Sequence, residues 1–178
     1  MSMGIEEIIG DYKAFFSDLQ RRLVALPVDI EGMPVSHVCY RVTSLPEYEA
    51  LRDRVKYFCT EFAENEFNGR PIVMLLLKVP LILAEGYPVS LIELPAPKSR
   101  HKYPTGLEHC GFVVGEKFGE FKERYQHVIT RHTNRGPYCQ PVLITFENGK
   151  TAKFYERSLM EVLRLEGKMF VPLASEGK

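Results

Sequence analysis

The stretch "LEHCGFVV", Leu107–Val114, places a histidine at the head of an apolar run that is typical of a buried strand. The stretch "SHVCYRV", Ser36–Val42, lies far upstream and has the same order of a histidine, two residues, an aromatic residue, one residue and a valine. His37 and His109 therefore stand at equivalent places in the two halves of the chain. Because internal repeats constrain an architecture more than single residue preferences do, this pair predicts a duplicated unit.

The patterns that follow each histidine strand predict the same order of elements twice. Residues 34–97 contain a strand, a helix over 45–59 and three further strands, the last of which is "PVSLIELPAP". Residues 106–157 repeat this order in a shorter form, with a helix over 116–131 and only a faint second strand in "HTNRGPYCQ". We therefore predict an α+β fold built from two βαβββ modules.

Helical patterns flank the two modules. The segment 5–33 combines a helix, weakened at Gly10, with a proline-bearing linker. A short helix is expected within 158–167, where Gly167 marks its end. A chain of 178 residues is long enough for one core and too short for two full-sized domains, so residues 1–178 are expected to form a single domain.

Composition argues against two classes of partner. Apolar residues make up 45% and charged residues 26% of the chain, as in ordinary soluble globular proteins. Lys and Arg together number 23, as do Asp and Glu, so the chain lacks the basic excess that favours nucleic acids and anionic membranes. The longest apolar run, "IVMLLLKVPLILA", contains Lys78 and Pro80 and is too short to span a bilayer. We expect a small-molecule ligand or substrate, no nucleic acid and no membrane, and the oligomeric state is left open.

Two features indicate a cytoplasmic location. The first ten residues, "MSMGIEEIIG", are acidic where a signal peptide has a basic region followed by an apolar run. The four cysteines form no CxxC motif and fit a reducing compartment better than a disulfide framework. Cys39 and Cys110 fall within apolar strands, where a thiol acts as a small hydrophobe.

Alternation along the strands brings a small set of polar residues to one face. His37 and Arg41 share one face of the first strand. Glu93 lies inside an apolar run, where an unpartnered carboxylate costs about 2–7 kcal/mol, so it needs a cation, a donor network or a metal. The last strand, in "AKFYERS", offers Tyr155 and Glu156 at the matching end.

Two histidines and one glutamate on neighbouring strands form a ligand set that suits zinc, iron, manganese or nickel. The alternative is structural, because most buried histidines are simply hydrogen-bonded and Glu93 could pair with Arg41 or Arg70. The matched placement in a repeat favours the metal site. The remaining histidines are expected to be exposed: His101, His127 and His132.

Several segments of the chain resemble the YecM family of bacterial proteins: "SHVCYRV", "NGRPIVMLLL", "SLIELPAPK", "RHKYPTGLEHCGFVV" and "NGKTAKFYERSLMEVL". The resemblance runs from the N-terminal helix to the C-terminal helix. The family in turn resembles the vicinal oxygen chelate superfamily, which includes glyoxalases, bleomycin-resistance proteins and extradiol dioxygenases. This resemblance implies a curved mixed sheet around a cleft that holds a metal site.

The superfamily resemblance also implies which residues bind the metal. Its ligands come from the first and last strands of each module, at positions that correspond to His37, Glu93, His109 and Tyr155. The sequence departs from the family's pattern at the last of these, where relatives have histidine and many superfamily enzymes have glutamate. A tyrosine must lose a proton with a pKa of about 10 to bind as an anion. Glu156, a water or no ligand are therefore the alternatives for the fourth place.

The implied function is a divalent-metal-binding protein, and more specifically a metal-dependent enzyme of the isomerase, lyase or oxidoreductase type that acts on a small oxygen-bearing molecule. Glu93 would serve as a ligand and a displaced base, and Arg41 or Arg70 would bind a carboxylate or phosphate of the substrate. Two alternatives remain: a non-catalytic small-molecule-binding protein, and an interaction module in which the cluster is structural. The interaction module predicts no deep polar pocket.

Overall fold

The computed structural model describes residues 4–99 and 104–174, and these form one nine-stranded sheet with five α-helices. The strands are β1 (Val35–Arg41), β2 (Cys59–Phe67), β3 (Arg70–Ile82), β4 (Pro88–Pro95), β5 (Gly106–Val113), β6 (Arg131–His132), β7 (Val142–Thr145), β8 (Thr151–Tyr155) and β9 (Val171–Pro172). The helices are α1 (Glu6–Ile9), α2 (Tyr12–Ala25), α3 (Leu45–Lys56), α4 (Phe118–Tyr125) and α5 (Leu159–Leu165). Within the described ranges, no helix is both long and apolar enough to cross a membrane. The predicted exposure of His101 falls on a residue outside these ranges.

The two modules have the same connectivity. The strands lie in the order β6-β7-β8-β5-β1-β4-β3-β2-β9. β1 pairs in parallel with β4, and β5 pairs in parallel with β8, so the last strand of each module lies beside its first. β1 and β5 pair in antiparallel and join the modules at the centre of the sheet. This arrangement confirms the predicted α+β fold of two βαβββ modules in one mixed sheet, whereas the single domain over 1–178 stays a prediction.

Local signals set the ends of the helices. Ser44 accepts a hydrogen bond from the Glu47 amide at 3.2 Å and caps the start of α3. The helix predicted at the N-terminus is divided at Gly10, whose φ of 81° lies in the left-handed region. Asp11 then begins α2 by accepting a hydrogen bond from the Ala14 amide at 2.8 Å. The single helix predicted at the N-terminus is therefore wrong, because the structure has two helices there, α1 and α2.

The second module differs from its predicted outline. The helix expected over 116–131 is wrong in length, because α4 ends at Tyr125 and the Thr130 amide already bonds to the Leu143 carbonyl of β7. The faint second strand is the two-residue β6. No sequence pattern indicated β9, which pairs with β2 and follows it in the sheet.

The two faces of the sheet bury different cores. The larger core packs against α1 to α4 and includes Val38 and Phe112. A smaller core includes Tyr155 and Leu159 and lies on the face that packs against α5, here the α5 face. Because side chains alternate along a strand, His37 points away from the core of Val38 and towards the α5 face. The candidate site therefore lies under α5.

Candidate metal centre

Three of the residues singled out in the sequence meet on the α5 face. Cys39 of β1 pairs with Glu93 of β4 on one side and with His109 of β5 on the other, so the strands carry the candidate ligands to adjacent positions. His109 Nε2 lies 2.9 Å from Glu93 Oε2, and His37 Nε2 lies 3.5 Å from the same oxygen. All three residues are at most 1% exposed. Their role as ligands stays a prediction, but their predicted convergence is present.

Gly111 makes room for the His37 imidazole. It lies opposite His37 in the pairing of β1 with β5. A Cβ atom at position 111 would lie 2.3 Å from His37 Cε1 and 2.7 Å from His37 Nδ1. Both distances are far inside van der Waals contact, so any side chain at this position must displace the ring.

We expect Gly111→Ala to weaken divalent metal binding by about tenfold, because a displaced His37 ring can no longer share an ion with its neighbours. Overpacking should also lower the free energy of unfolding by roughly 1–3 kcal/mol. Zinc titration by calorimetry and thermal unfolding by circular dichroism measure the two effects.

Gly119→Ala provides the matched control for that substitution. No atom is found within 4 Å of a Cβ built at this position in α4, measured over the described residues outside the helix's own nearby backbone. Alanine is also more favourable than glycine inside a helix by roughly 0.5–1 kcal/mol. Gly119→Ala should therefore bind zinc like the parent chain and unfold at the same or a higher temperature. If Gly111→Ala behaves identically, the contact with position 111 does not hold the His37 ring in place.

The outer nitrogens of both imidazoles have neighbours of their own. His37 Nδ1 lies 3.0 Å from Ser36 Oγ, which also accepts a hydrogen bond from the Leu159 amide at 2.9 Å. A hydroxyl oxygen can accept two hydrogen bonds, so Ser36 can hold the Nδ1–H tautomer of His37 and leave the Nε2 lone pair for the cluster. His109 Nδ1 lies 3.4 Å from Glu108 Oε1. Ser36 is an outer partner of the kind that fixes the tautomer and orientation of metal-binding histidines, whereas His109 Nδ1 makes no hydrogen bond with the described residues.

Burial and neighbouring charges set the protonation of the cluster. Burial raises the pKa of the Glu93 carboxyl, but the hydrogen bond and charge of His109 outweigh it and hold that pKa well below its ordinary value of 4.5. Burial lowers the pKa of His37 well below 6.5, and the charge of Glu93 offsets this only in part. Glu93 is therefore a carboxylate and His37 a neutral imidazole, which are the states in which both bind a metal.

Two cations beside the cluster were not singled out in the sequence. Arg135, from the loop between β6 and β7, places Nη1 3.5 Å from Glu93 Oε1. Lys153 of β8 is 6% exposed, and burial lowers its pKa while the charge of Glu93 raises it. Lys153 alternates with Tyr155, so the strand period was a signal that both point to the same face. The loop "HTNRGPYCQ" carried no comparable signal for Arg135.

Tyr155, the fourth position implied by the resemblance, lies beside His37. Their ring centroids are 5.4 Å apart with 73° between the planes, and Tyr155 is 2% exposed. Burial, with a smaller contribution from the charge of Glu93, raises the pKa of the phenol well above 10, so the phenol is neutral. Glu156, the alternative fourth ligand, has a half-exposed side chain and pairs with Arg157 at 3.1 Å. Glu156 therefore lies outside the cluster.

The two arginines considered as substrate anchors engage other partners. Arg41 forms an ion pair with Glu108 of β5. Arg70 donates a hydrogen bond to the Ala96 carbonyl at 2.5 Å. Both arginines are buried and line one cavity, so their part in substrate binding stays a prediction.

Residues 4–163 match the family model described as YecM protein. The chain belongs to the YecM family. Protein YecM of Escherichia coli (strain K12) is 26% identical over 110 residues, which cover 62% of this chain and 58% of that protein. An uncharacterized protein of Haemophilus influenzae is 28% identical over 106 residues, which cover 59% of this chain and 54% of the relative. The matched segments thus span little more than half the length of these two relatives.

One solved structure shares the fold of this YecM-family chain. A structural-genomics protein, EC4020, aligns over 93% of this chain and 98% of its own, with a TM-score of 0.68 and 23% identity. The fosfomycin resistance protein FosX of Listeria monocytogenes, solved as a mutant with Mn(II) and a dihydroxypropylphosphonic acid, aligns over 72% of this chain and 95% of its own. Its TM-score is 0.27 at 13% identity, which is too low to support an inference about this chain.

A second group of possible ligands in the YecM-family chain shares His109 with the first. Cys39, Glu108 and His109 bring one ligand atom each to within 4.8 Å of one another. Burial raises the pKa of the Cys39 thiol well above 9, and Glu108 is engaged by Arg41. Since a thiol must lose its proton to bind a metal, this group suits an ion less well than the histidine–glutamate cluster.

The cluster fits a divalent ion in spacing and in donor chemistry. Bond lengths of about 2.0–2.2 Å place the ligand atoms of a tetrahedral ion roughly 3.3 Å apart. The two contacts of Glu93 Oε2, at 2.9 and 3.5 Å, lie on either side of that spacing. His37 Nε2 and Tyr155 Oη are buried without a hydrogen-bond partner among the described residues. Such atoms are rare in folded proteins, and a bound ion or ligand would satisfy them.

Two cavities approach the cluster. A polar cavity of about 610 Å³ is lined in part by Arg135 and Lys153. An apolar pocket of about 60 Å³ reaches Glu93 and is lined by Arg135, Met74 and Leu159 among others. Because Arg135 lines both spaces and pairs with Glu93, this side chain lies between the cluster and the larger cavity. A purely structural cluster predicts no deep polar pocket, whereas a polar cavity of about 610 Å³ lies beside this cluster.

Proposed function

We propose that this YecM-family chain binds a divalent metal ion through His37, Glu93 and His109 and uses it in a reaction on a small oxygen-bearing molecule. The proposal rests on one observation: three strands bring three donor atoms to within 4.8 Å of one another. The duplicated topology explains why, because it places the histidine-bearing first strands of both modules side by side. Two imidazoles and a carboxylate suit zinc, iron, manganese or nickel.

The ion and the side chains around it would have different roles in the reaction. When bound, the ion supplies a Lewis acid that polarises a carbonyl or enolate oxygen of the substrate. Glu93 offers Oε2 to the imidazoles and Oε1 to Arg135, so the carboxylate can hold the ion and still lie near a substrate proton as a general base. Tyr155, a neutral phenol on the same face, can donate a hydrogen bond to a substrate oxygen on which negative charge develops. These roles fit an isomerase, a lyase or an oxidoreductase.

Exclusion of water strengthens these interactions. The candidate ligands are at most 1% exposed, and Tyr155 is 2% exposed. Charges and hydrogen bonds act more strongly in such a low-dielectric environment than in water. Arg135 has a quarter of its side chain exposed, and its pairing with Glu93 leaves it as the side chain that must yield when a ligand reaches the carboxylate.

Elemental analysis tests the proposed metal site. We expect the full chain, purified without a polyhistidine tag and dialysed, to retain about one divalent transition-metal ion per chain. His109→Gln should lose the ion, because it removes a ligand, whereas His127→Gln changes an exposed histidine and should retain it. If the parent chain holds no metal and the chelator-treated protein takes up neither zinc nor manganese, the proposal is wrong.

A further inference from the structure

Most of the charged residues that line the polar cavity beside the cluster are cations. Among the described residues that line it, seven carry a positive charge and one, Glu108, carries a carboxylate. Three of these cations are buried: Arg41, Arg70 and Lys153. The others are Lys98, Arg131, Arg135 and Lys150. Since the chain as a whole has no net charge, this concentration of positive charge is a local property of the cavity.

The carboxylates nearby already have partners. Glu108 is bonded to Arg41, and Glu93 accepts from His109 and pairs with Arg135. Lys153 is 6% exposed and makes neither a hydrogen bond nor an ion pair with any residue in the described part of the chain. Glu93 attracts the Lys153 ammonium without forming an ion pair with it. A mostly buried cation with only this compensation is costly, so a ligand that brings further negative charge best explains its position.

We propose that the cavity binds a dianionic oxyanion group of the substrate, the chemistry of a small phosphate ester, with Lys153 and Arg135 as its contacts. The assignment rests on the proposed function, because it names the class of molecule on which the metal-dependent reaction would act. A doubly charged group matches two adjacent cations better than a single carboxylate does. The apolar pocket of about 60 Å³ beside Arg135 leaves room for only a short apolar part.

Titration of inorganic phosphate into the full chain tests this assignment. The measurement is made by calorimetry at low ionic strength with a chelator present, so that no metal contributes. The parent chain should bind phosphate, and Lys153→Met should bind it at least about tenfold more weakly, as expected for loss of one charge-assisted hydrogen bond. Lys13→Met is the matched control, because Lys13 is exposed on α2 and does not line the cavity. It should bind phosphate like the parent.

Arg135→Gln keeps the test decisive if Lys153→Met fails to fold. Arg135 lies on a loop with a quarter of its side chain exposed, and its replacement should also weaken phosphate binding about tenfold. No binding by the parent chain, or full binding by Lys153→Met or by Arg135→Gln, would overturn the assignment. If acetate binds as tightly as phosphate, the proposed preference for a dianionic group over a carboxylate is wrong. Zinc titration without phosphate is independent of these outcomes and tests the metal site alone.

Discussion

Glu93→Gln is expected to lower the affinity for zinc by about 100-fold or more. Loss of an outer partner of a metal ligand alone costs roughly 10–100-fold, and Glu93 Oε2 lies within 3.5 Å of both imidazoles. Glutamine preserves the shape of the side chain and removes its charge, so the loss reports on the carboxylate. Competition with a chelating dye on metal-stripped protein measures the affinity.

The same substitution should also destabilise the fold. The negative charge of Glu93 pairs with the Arg135 guanidinium and also attracts the buried Lys153 ammonium. Removal of one partner of a buried pair costs roughly 3–5 kcal/mol. Adding Lys153→Met to Glu93→Gln removes an uncompensated charge and should recover part of the stability without recovering zinc binding. Thermal unfolding of the single and double variants separates the structural role of the carboxylate from its role as a ligand.

Glu156→Gln is the control for the loss of a negative charge. Glu156 has a half-exposed side chain outside the cluster, so its replacement should leave both zinc affinity and stability close to those of the parent. Unchanged zinc affinity in Glu93→Gln would show that the carboxylate is no ligand. If Glu93→Gln unfolds while the parent chain binds no metal, Glu93 is a structural ion-pair partner instead.

Short-range sequence patterns were enough to identify three of the candidate ligands. The period of two along a strand assigned His37 and His109 to one face each, and the repeat made those two faces equivalent. Glu93 stood out because a carboxylate inside an apolar run needs a partner. The sequence placed these residues on neighbouring strands, but the pairing of β1 with both β4 and β5 was seen only in the structure.

The residues that the sequence did not identify depend on long-range geometry. Arg135 comes from an irregular loop, and nothing in "HTNRGPYCQ" indicates that its guanidinium reaches Glu93. Gly111 has an ordinary place in a strand, and its importance lies in the His37 ring that fills the space of its absent side chain. The length of α4 was wrong for a related reason, since pairing with β7 overrides the local helical pattern beyond Tyr125.

Tyr155→His is expected to raise the affinity for zinc roughly 100-fold. A tyrosine ligand at pH 7 requires a pKa shift of about three units, which costs about 4 kcal/mol, and burial moves the pKa of this phenol further upward. Histidine is largely neutral at pH 7 and binds without that cost. Structural zinc sites with four ligands bind with about 10–16 kcal/mol, so a fourth ligand contributes roughly a quarter of that energy.

Tyr155→Phe tests whether the phenol of Tyr155 is a hydrogen-bond donor or a metal ligand. It removes only the hydroxyl, so zinc affinity should match that of the parent chain if the phenol is a hydrogen-bond donor and not a ligand. Without metal, Tyr155→His should unfold at a lower temperature than the parent, because the smaller ring leaves space in the α5-face core. With saturating zinc the order should reverse, since tighter binding stabilises the folded state. Equal or weaker zinc binding by Tyr155→His would mean that position 155 does not face the ion, and weaker binding by Tyr155→Phe would make the phenol a ligand after all.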